Sequence, residues 1–217
     1  MSSAPPRVVL LHGLWMHAPA MRWFATRLKS RGFDAAPLGY YSLLEDTDSV
    51  VERLAEEFTT RPGSHVVAHS LGGLLALRAA ARVGGERLGR IVCLGTPLAG
   101  SRAADGVRTR IPAGGKLLGR HLPLLLEGAR MLPPGIEVGM VAGCRPLGLG
   151  GVVAKFDCAH DGTVALPETR IDGLTDHVTI HASHSGLIFS DVAVTQASRF
   201  LREGHFMHDG ENAGIAR

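Results

Sequence analysis

Val66-Val67-Ala68-His69-Ser70-Leu71-Gly72-Gly73 decides the fold. A β-branched run ends at Ser70, and a helical pattern led by small residues (Gly72-Gly73-Leu74-Leu75-Ala76-Leu77) follows at once. Strand, sharp turn and helix in that order make a nucleophile elbow, with the serine at the apex of a strained turn. The incoming strand and outgoing helix pass close together there. The positions two before and two after the serine must therefore be nearly free of side chain. Ala68 and Gly72 fill them; the usual pattern has glycine in both, and a methyl is the smallest departure from it.

Composition bounds the rest. At 217 residues the chain suits one domain over 1–203, with 204–217 as a flexible tail. Hydrophobic residues at 45% and charged residues at 20% exclude global disorder. The net charge of +3 is spread without a basic stripe, so nucleic acid is not an expected partner. Cys93, Cys144 and Cys158 are odd in number and irregularly spaced, which argues against a disulfide framework and for a reducing compartment. No apolar run is long enough to span a membrane. Pro5-Pro6-Arg7 leads straight into a core strand, which leaves no signal peptide to read, so the expected location is the cytoplasm.

Apolar runs predict strands at 7–11, 33–38, 66–69, 90–94, 136–142 and 176–181. Helical spacing appears at 19–30, 71–83 and 187–201. Another helix carries Val50, Val51, Leu54 and Phe58 on one face and is expected to be capped by Asp48 or Ser49. Strands alternating with helices predict a mostly parallel sheet covered on both faces. The 98–134 segment breaks this rhythm with glycines and prolines, and reads either as a crossover with long loops or as a small cap over the site. It holds Arg102, Arg108, Arg110, Lys116, Arg120 and Arg130 against Asp105 and Glu127, which raises anionic or lipid-headgroup substrates as an expectation.

A serine nucleophile needs a base, and the base needs a carboxylate to fix its tautomer. His177, His181 and His184 compete for the base. His184 is preferred because it lies in a loop beside Ser185 and Gly186, with His181 in reserve. Asp157, Asp161, Glu168 and Asp172 compete for the acid. Asp161 is preferred because Gly162 permits a tight turn, and Asp157 is its main rival. The oxyanion needs two convergent N–H groups. Leu71 supplies one, and the His12-Gly13-Leu14-Trp15 loop the other, from Leu14 or alternatively Trp15. His12 reads as structural. His69 is expected to pack on neighbouring loops and, like Trp15, to touch substrate. A metal cluster of His160, Asp161, His181 and His184 lacks ligand spacing on any one element, so neither metal nor other cofactor is expected.

Taken together, the chain resembles the α/β-hydrolase superfamily, specifically small bacterial lipases and esterases that carry Ala-His-Ser-x-Gly-Gly. The matching residues are His12-Gly13, Ala68-His69-Ser70-Leu71-Gly72-Gly73, Gly95-Thr96-Pro97-Leu98, Asp161-Gly162-Thr163-Val164 and His184-Ser185-Gly186-Leu187, spread from Val8 to Leu201. The chain order Ser, Asp, His is also that of the superfamily. The resemblance implies Ser70 as nucleophile, Asp161 as acid, His184 as base, and Leu14 and Leu71 as oxyanion donors. The implied substrate is a small-molecule or lipid ester. Thioester cleavage or acyl transfer by the same triad, and a silent hydrolase-fold binding module, are the competing expectations. Oligomeric state is not legible.

Overall fold

A computed structural model describes residues 4–148 and 154–208. Six parallel strands form one sheet: β1 (Arg7–Leu11), β2 (Asp34–Pro37), β3 (His65–His69), β4 (Ile91–Leu94), β5 (Val138–Gly143) and β6 (Asp176–Ile180). Their order across the sheet is β2-β1-β3-β4-β5-β6. The chain leaves β1 towards β2 and returns on β1's other side as β3. The loops after β1 and β3 therefore face each other at a topological switch point, where α/β sheets bind ligands.

Period-two alternation divides the apolar residues between two cores. Val9, Leu11, Val66, Ala68, Ile91 and Cys93 face α2 (Thr47–Thr60) and α3 (Leu71–Val83). Val8, Leu10, Val67, Val92 and Leu94 face the opposite layer, which contains buried residues of α1 (Arg22–Lys29) and of the C-terminal helix. Burial on both faces explains why the strands read as continuous apolar runs.

The 98–134 segment is helical, with α4 (Arg102–Arg110), α5 (Gly114–Leu117) and α6 (Leu122–Glu127). Ala104, Val107, Leu118, Leu124 and Leu125 bury against the α3 side of the sheet. The basic residues of this segment are largely engaged in ion pairs. Arg102 meets Asp157 and Glu168, Arg108 meets Asp105, Arg120 meets Asp46, and Arg130 meets Glu127. The anticipated cationic surface for an anionic substrate is thus mostly neutralised by its neighbours.

Several local expectations shift. The cap of α2 is Asp46, not Asp48 or Ser49; its carboxylate accepts from the Ser49 N–H and hydroxyl, both at 2.9 Å. The closing helix is interrupted. A 3-10 turn (Ser185–Phe189) ends at Ser190, whose hydroxyl caps α7 (Asp191–Glu203). Residues 204–208 are not a loose tail: Phe206 is fully buried against Phe200, and its N–H donates to Asp176 at 2.7 Å. The Met207 N–H and carbonyl meet the Gln196 amide, and His208 pairs with Asp176. The remainder of the expected tail, 209–217, and the 149–153 part of the glycine-rich connection lie outside the described residues.

Candidate active site

Ser70 sits between β3 and α3 at φ 53 and ψ −122, a conformation that disfavours any side chain. Close packing forces the turn. A Cβ on Gly72 would lie 2.5 Å from the His12 carbonyl oxygen, and one on Gly73 would lie 2.1 Å from Thr96 Oγ1. Only glycine lets α3 start this near to β1 and β4. The turn lifts Ser70 Oγ to 3.0 Å from His184 Nε2, and His184 Nδ1 lies 2.7 Å from Asp161 Oδ2. All three residues are at least nine-tenths buried.

Asp161 is held from several directions. Its Oδ1 accepts the Thr163 and Val164 N–H groups at 2.9 and 2.7 Å, and its backbone carbonyl accepts the His184 N–H at 2.8 Å. Burial pushes the carboxyl up. The His184 charge and hydrogen bond, with the two backbone donors, outweigh that push and hold it below the usual carboxylate value. Gly162, at φ 97, makes the turn, and a Cβ there would strike the Leu147 backbone.

The rival residues lie elsewhere. Asp157 is exposed and paired with Arg102, and Glu168 binds Arg102 and the Ala165 N–H. Strand β6 ends at Ile180, one residue short of the expected 176–181, so His181 is an exposed residue beyond the sheet. His177 meets Thr169 Oγ1 at 2.9 Å. His12 stacks on Tyr40 at 4.1 Å, and the Tyr40 hydroxyl donates to its carbonyl. Among the described residues no cluster of His, Cys, Asp and Glu could hold a metal ion.

Leu14, in the loop after β1, lines the same cavity as Ser70, and Leu71 follows Ser70 directly. Leu71 is the first residue of α3, where an N–H has no intrahelical acceptor. Trp15 has a positive φ of 58, and its N–H donates to Ser42 Oγ at 3.1 Å. That amide is occupied, whereas the Leu14 amide has no hydrogen-bond acceptor among the described residues. The Trp15 indole donates to the Leu117 carbonyl at 2.8 Å, tying the loop after β1 to α5. The roles of three residues escaped sequence reasoning. Ser42 fixes the Trp15 amide. Glycine at 95 leaves room for the acid–base pair, since a Cβ there would lie 3.1 Å from Asp161 Oδ2 and 3.2 Å from His184 Nδ1. Leu117 receives the indole. Only Gly95 had a local signal, the Gly-Thr-Pro run ending β4.

His69 is wholly buried beside the serine. Its Nε2 donates to the His184 carbonyl at 3.0 Å, and its ring lies 4.6 Å from the His184 ring. A carbonyl only accepts, so Nε2 carries the proton and Nδ1 is left without a partner. Burial, reinforced by His184, lowers its pKa to about 3. An unfolded histidine binds its proton near pH 6.5, so between pH 6.5 and 3 the unfolded state holds a proton that the native state lacks. This contribution leaves stability intact above pH 6.5 and erodes it as pH falls, by at most about 1.4 kcal/mol per pH unit. Asp161 adds a further loss only below its ordinary carboxylate range, as its native charge is neutralised. Urea unfolding from pH 7 to 4 is expected to show a shallower decline for His69→Phe than for wild type. Equal slopes would exclude a buried neutral His69.

Residues 8–216 match the model of the alpha/beta hydrolase family. The chain belongs to this family. No curated protein matches the sequence. Solved structures similar to this alpha/beta hydrolase include the mature form of Bacillus licheniformis lipase BlEst2, at a TM-score of 0.72 and 21% identity over 86% of this chain and 88% of that one. The pyrethroid hydrolase PytH superposes at 0.62 with 13% identity, covering 92% and 98%. The type II thioesterase BorB, from the borrelidin biosynthetic cluster, superposes at 0.58 with 18% identity, covering 92% of each chain. At these identities the likeness establishes the shared fold. No helix among the described residues is long and apolar enough to cross a membrane.

Proposed function

We propose that this alpha/beta hydrolase cleaves carboxylic esters through Ser70, His184 and Asp161. The observation that carries the reading is the unbroken chain from Ser70 Oγ to His184 Nε2 and from His184 Nδ1 to Asp161 Oδ2, at 3.0 and 2.7 Å. Ser70 Oγ attacks the ester carbonyl while His184 Nε2 takes its proton. The carbonyl oxygen becomes an oxyanion held by the Leu14 and Leu71 amides. The tetrahedral intermediate collapses, the alkoxide leaves with the proton from His184, and an acyl-serine remains. Water, deprotonated by His184, then releases the acid and restores Ser70. Asp161 keeps the Nδ1 proton in place and stabilises the transient imidazolium. The described residues are read as one domain that carries the 98–134 segment as a cap over the site and includes the packed residues 204–208.

The names of the similar proteins lend weight to an ester or thioester substrate, since they include a lipase and a thioesterase. A fluorophosphonate probe should label Ser70 in folded protein, with the adduct located by peptide mass. Turnover of p-nitrophenyl esters is expected to exceed that of acyl-CoA thioesters at equal concentration. Faster thioester cleavage would move the assignment to the thioesterase reading, and failure to label would leave a non-catalytic module.

A further inference from the structure

A cavity of about 530 Å³ opens beside Ser70. One wall comes wholly from the 98–134 segment: Ala103, Ala104, Val107, Ile111, Leu118 and Leu125. Trp15 and Leu117, joined by the indole hydrogen bond, flank it, and both are well exposed. Among the described residues no Asp, Glu, Lys or Arg lines it, and the histidines that do are His69 and His184. Arg102 is adjacent in sequence to Ala103, yet its guanidinium reaches Asp157 and Glu168. The basic character of this segment is thus kept out of the cavity.

Resting on the assignment of Ser70 as nucleophile, we infer that this wall is the binding site for an uncharged aliphatic acyl chain of medium length. The leaving group must lie near His184 Nε2, from which it takes its proton. Val164 and Thr163, beside the Asp161 turn, line that side. The acyl chain is left with the wall from 98–134. At about 30 Å³ for a group the size of a water molecule, the cavity accommodates on the order of 15 heavy atoms, which fits an ester carrying about eight to ten acyl carbons. A terminal carboxylate on the chain would be desolvated without a partner. Small and large side chains on α4 and at its C-terminal cap set the space: Ala103 and Ala104 leave room, and Val107 and the capping Ile111 limit it.

The test separates binding from turnover. In Ser70→Ala/Trp23→Phe the lone tryptophan is Trp15, at the cavity mouth. Titration with methyl esters of two to sixteen acyl carbons should blue-shift its emission, with affinity rising about fourfold per methylene until the cavity is filled. The break is expected near eight to ten carbons. Val107→Phe should move it to shorter chains and Ile111→Ala to longer ones, with near-ultraviolet circular dichroism reporting that each variant is folded. An ester ending in a carboxylate should bind at least tenfold more weakly than its methyl-terminated analogue of equal length. A folded wild-type protein with no chain-length dependence, or folded variants whose break does not move, would overturn the inference even if esters are hydrolysed. Chain-dependent binding without fluorophosphonate labelling would instead uphold the cavity and overturn the nucleophile.

Discussion

Ser70→Ala is expected to lower kcat for a p-nitrophenyl ester by about 10⁵- to 10⁶-fold, the scale seen when a serine nucleophile is removed from a working triad. Among the described residues the hydroxyl bonded to the base is Ser70's own, 3.0 Å from His184 Nε2. Of the two serines flanking the base in sequence, Ser183 has its hydroxyl turned to the Gly186 N–H, and Ser185 makes no hydrogen bond to the imidazole. Activity that survives would belong to water activated by His184 and aided by the Leu14 and Leu71 amides. The fold should be unaffected, because among the described residues the lost oxygen bonds only to His184. The strained backbone adds a second readout. At φ 53 and ψ −122 a Cβ costs on the order of 1–3 kcal/mol, and alanine keeps that cost while glycine removes it. Ser70→Gly should therefore be as inactive as Ser70→Ala yet unfold at higher denaturant, despite the extra entropy of an unfolded glycine. A glycine variant less stable than the alanine variant would contradict the strained elbow, and retained turnover in either would remove Ser70 from the chemistry.

The elbow was readable because its signature is local, although the neighbours that demand it are not. Gly72 is pressed by His12 and Leu11 and Gly73 by Thr96, yet both glycines stand beside Ser70 in sequence, and strand-to-helix order follows from pattern alone. The parallel sheet followed from the same alternation. What was not readable depends on contacts between distant segments. Nothing near Trp15 announces that Ser42 would take its N–H or that Leu117, 102 residues away, would take its indole. Phe206 looked like part of a frayed end because only its packing on Phe200 makes it core. The six basic residues between Arg102 and Arg130 suggested a charged surface, and the acids that neutralise them include Asp46, Asp157 and Glu168 from other segments. The α2 cap shifted by two or three residues because Asp, Thr, Asp and Ser run consecutively, and only backbone geometry selects Asp46 among them.

The preference for Asp161 over Asp157 did rest on a local signal, the turn at Gly162, and it leads to the second large effect. Asp161→Asn is expected to lower kcat by about 10⁴-fold while leaving the fold in place. The argument turns on which atom the new amide presents. Oδ1 of Asp161 accepts two backbone N–H groups, from Thr163 and Val164, and only an oxygen can satisfy them. The asparagine carbonyl is thus fixed at that position, and its NH₂ is turned toward His184 Nδ1. An NH₂ group donates and does not accept, so His184 must present a bare Nδ1 and carry its proton on Nε2. That tautomer cannot take the Ser70 proton, although the distances barely change. The imidazolium formed in the reaction also loses its counter-charge. Asp157→Asn, by contrast, removes one partner of an exposed pair with Arg102, an interaction worth about 0–1 kcal/mol, and should change kcat less than about threefold. A comparable loss in both variants would mean that the carboxylates act through folding. A loss in Asp157→Asn alone would reassign the acid, and the shared fold would then support a triad built on a different turn.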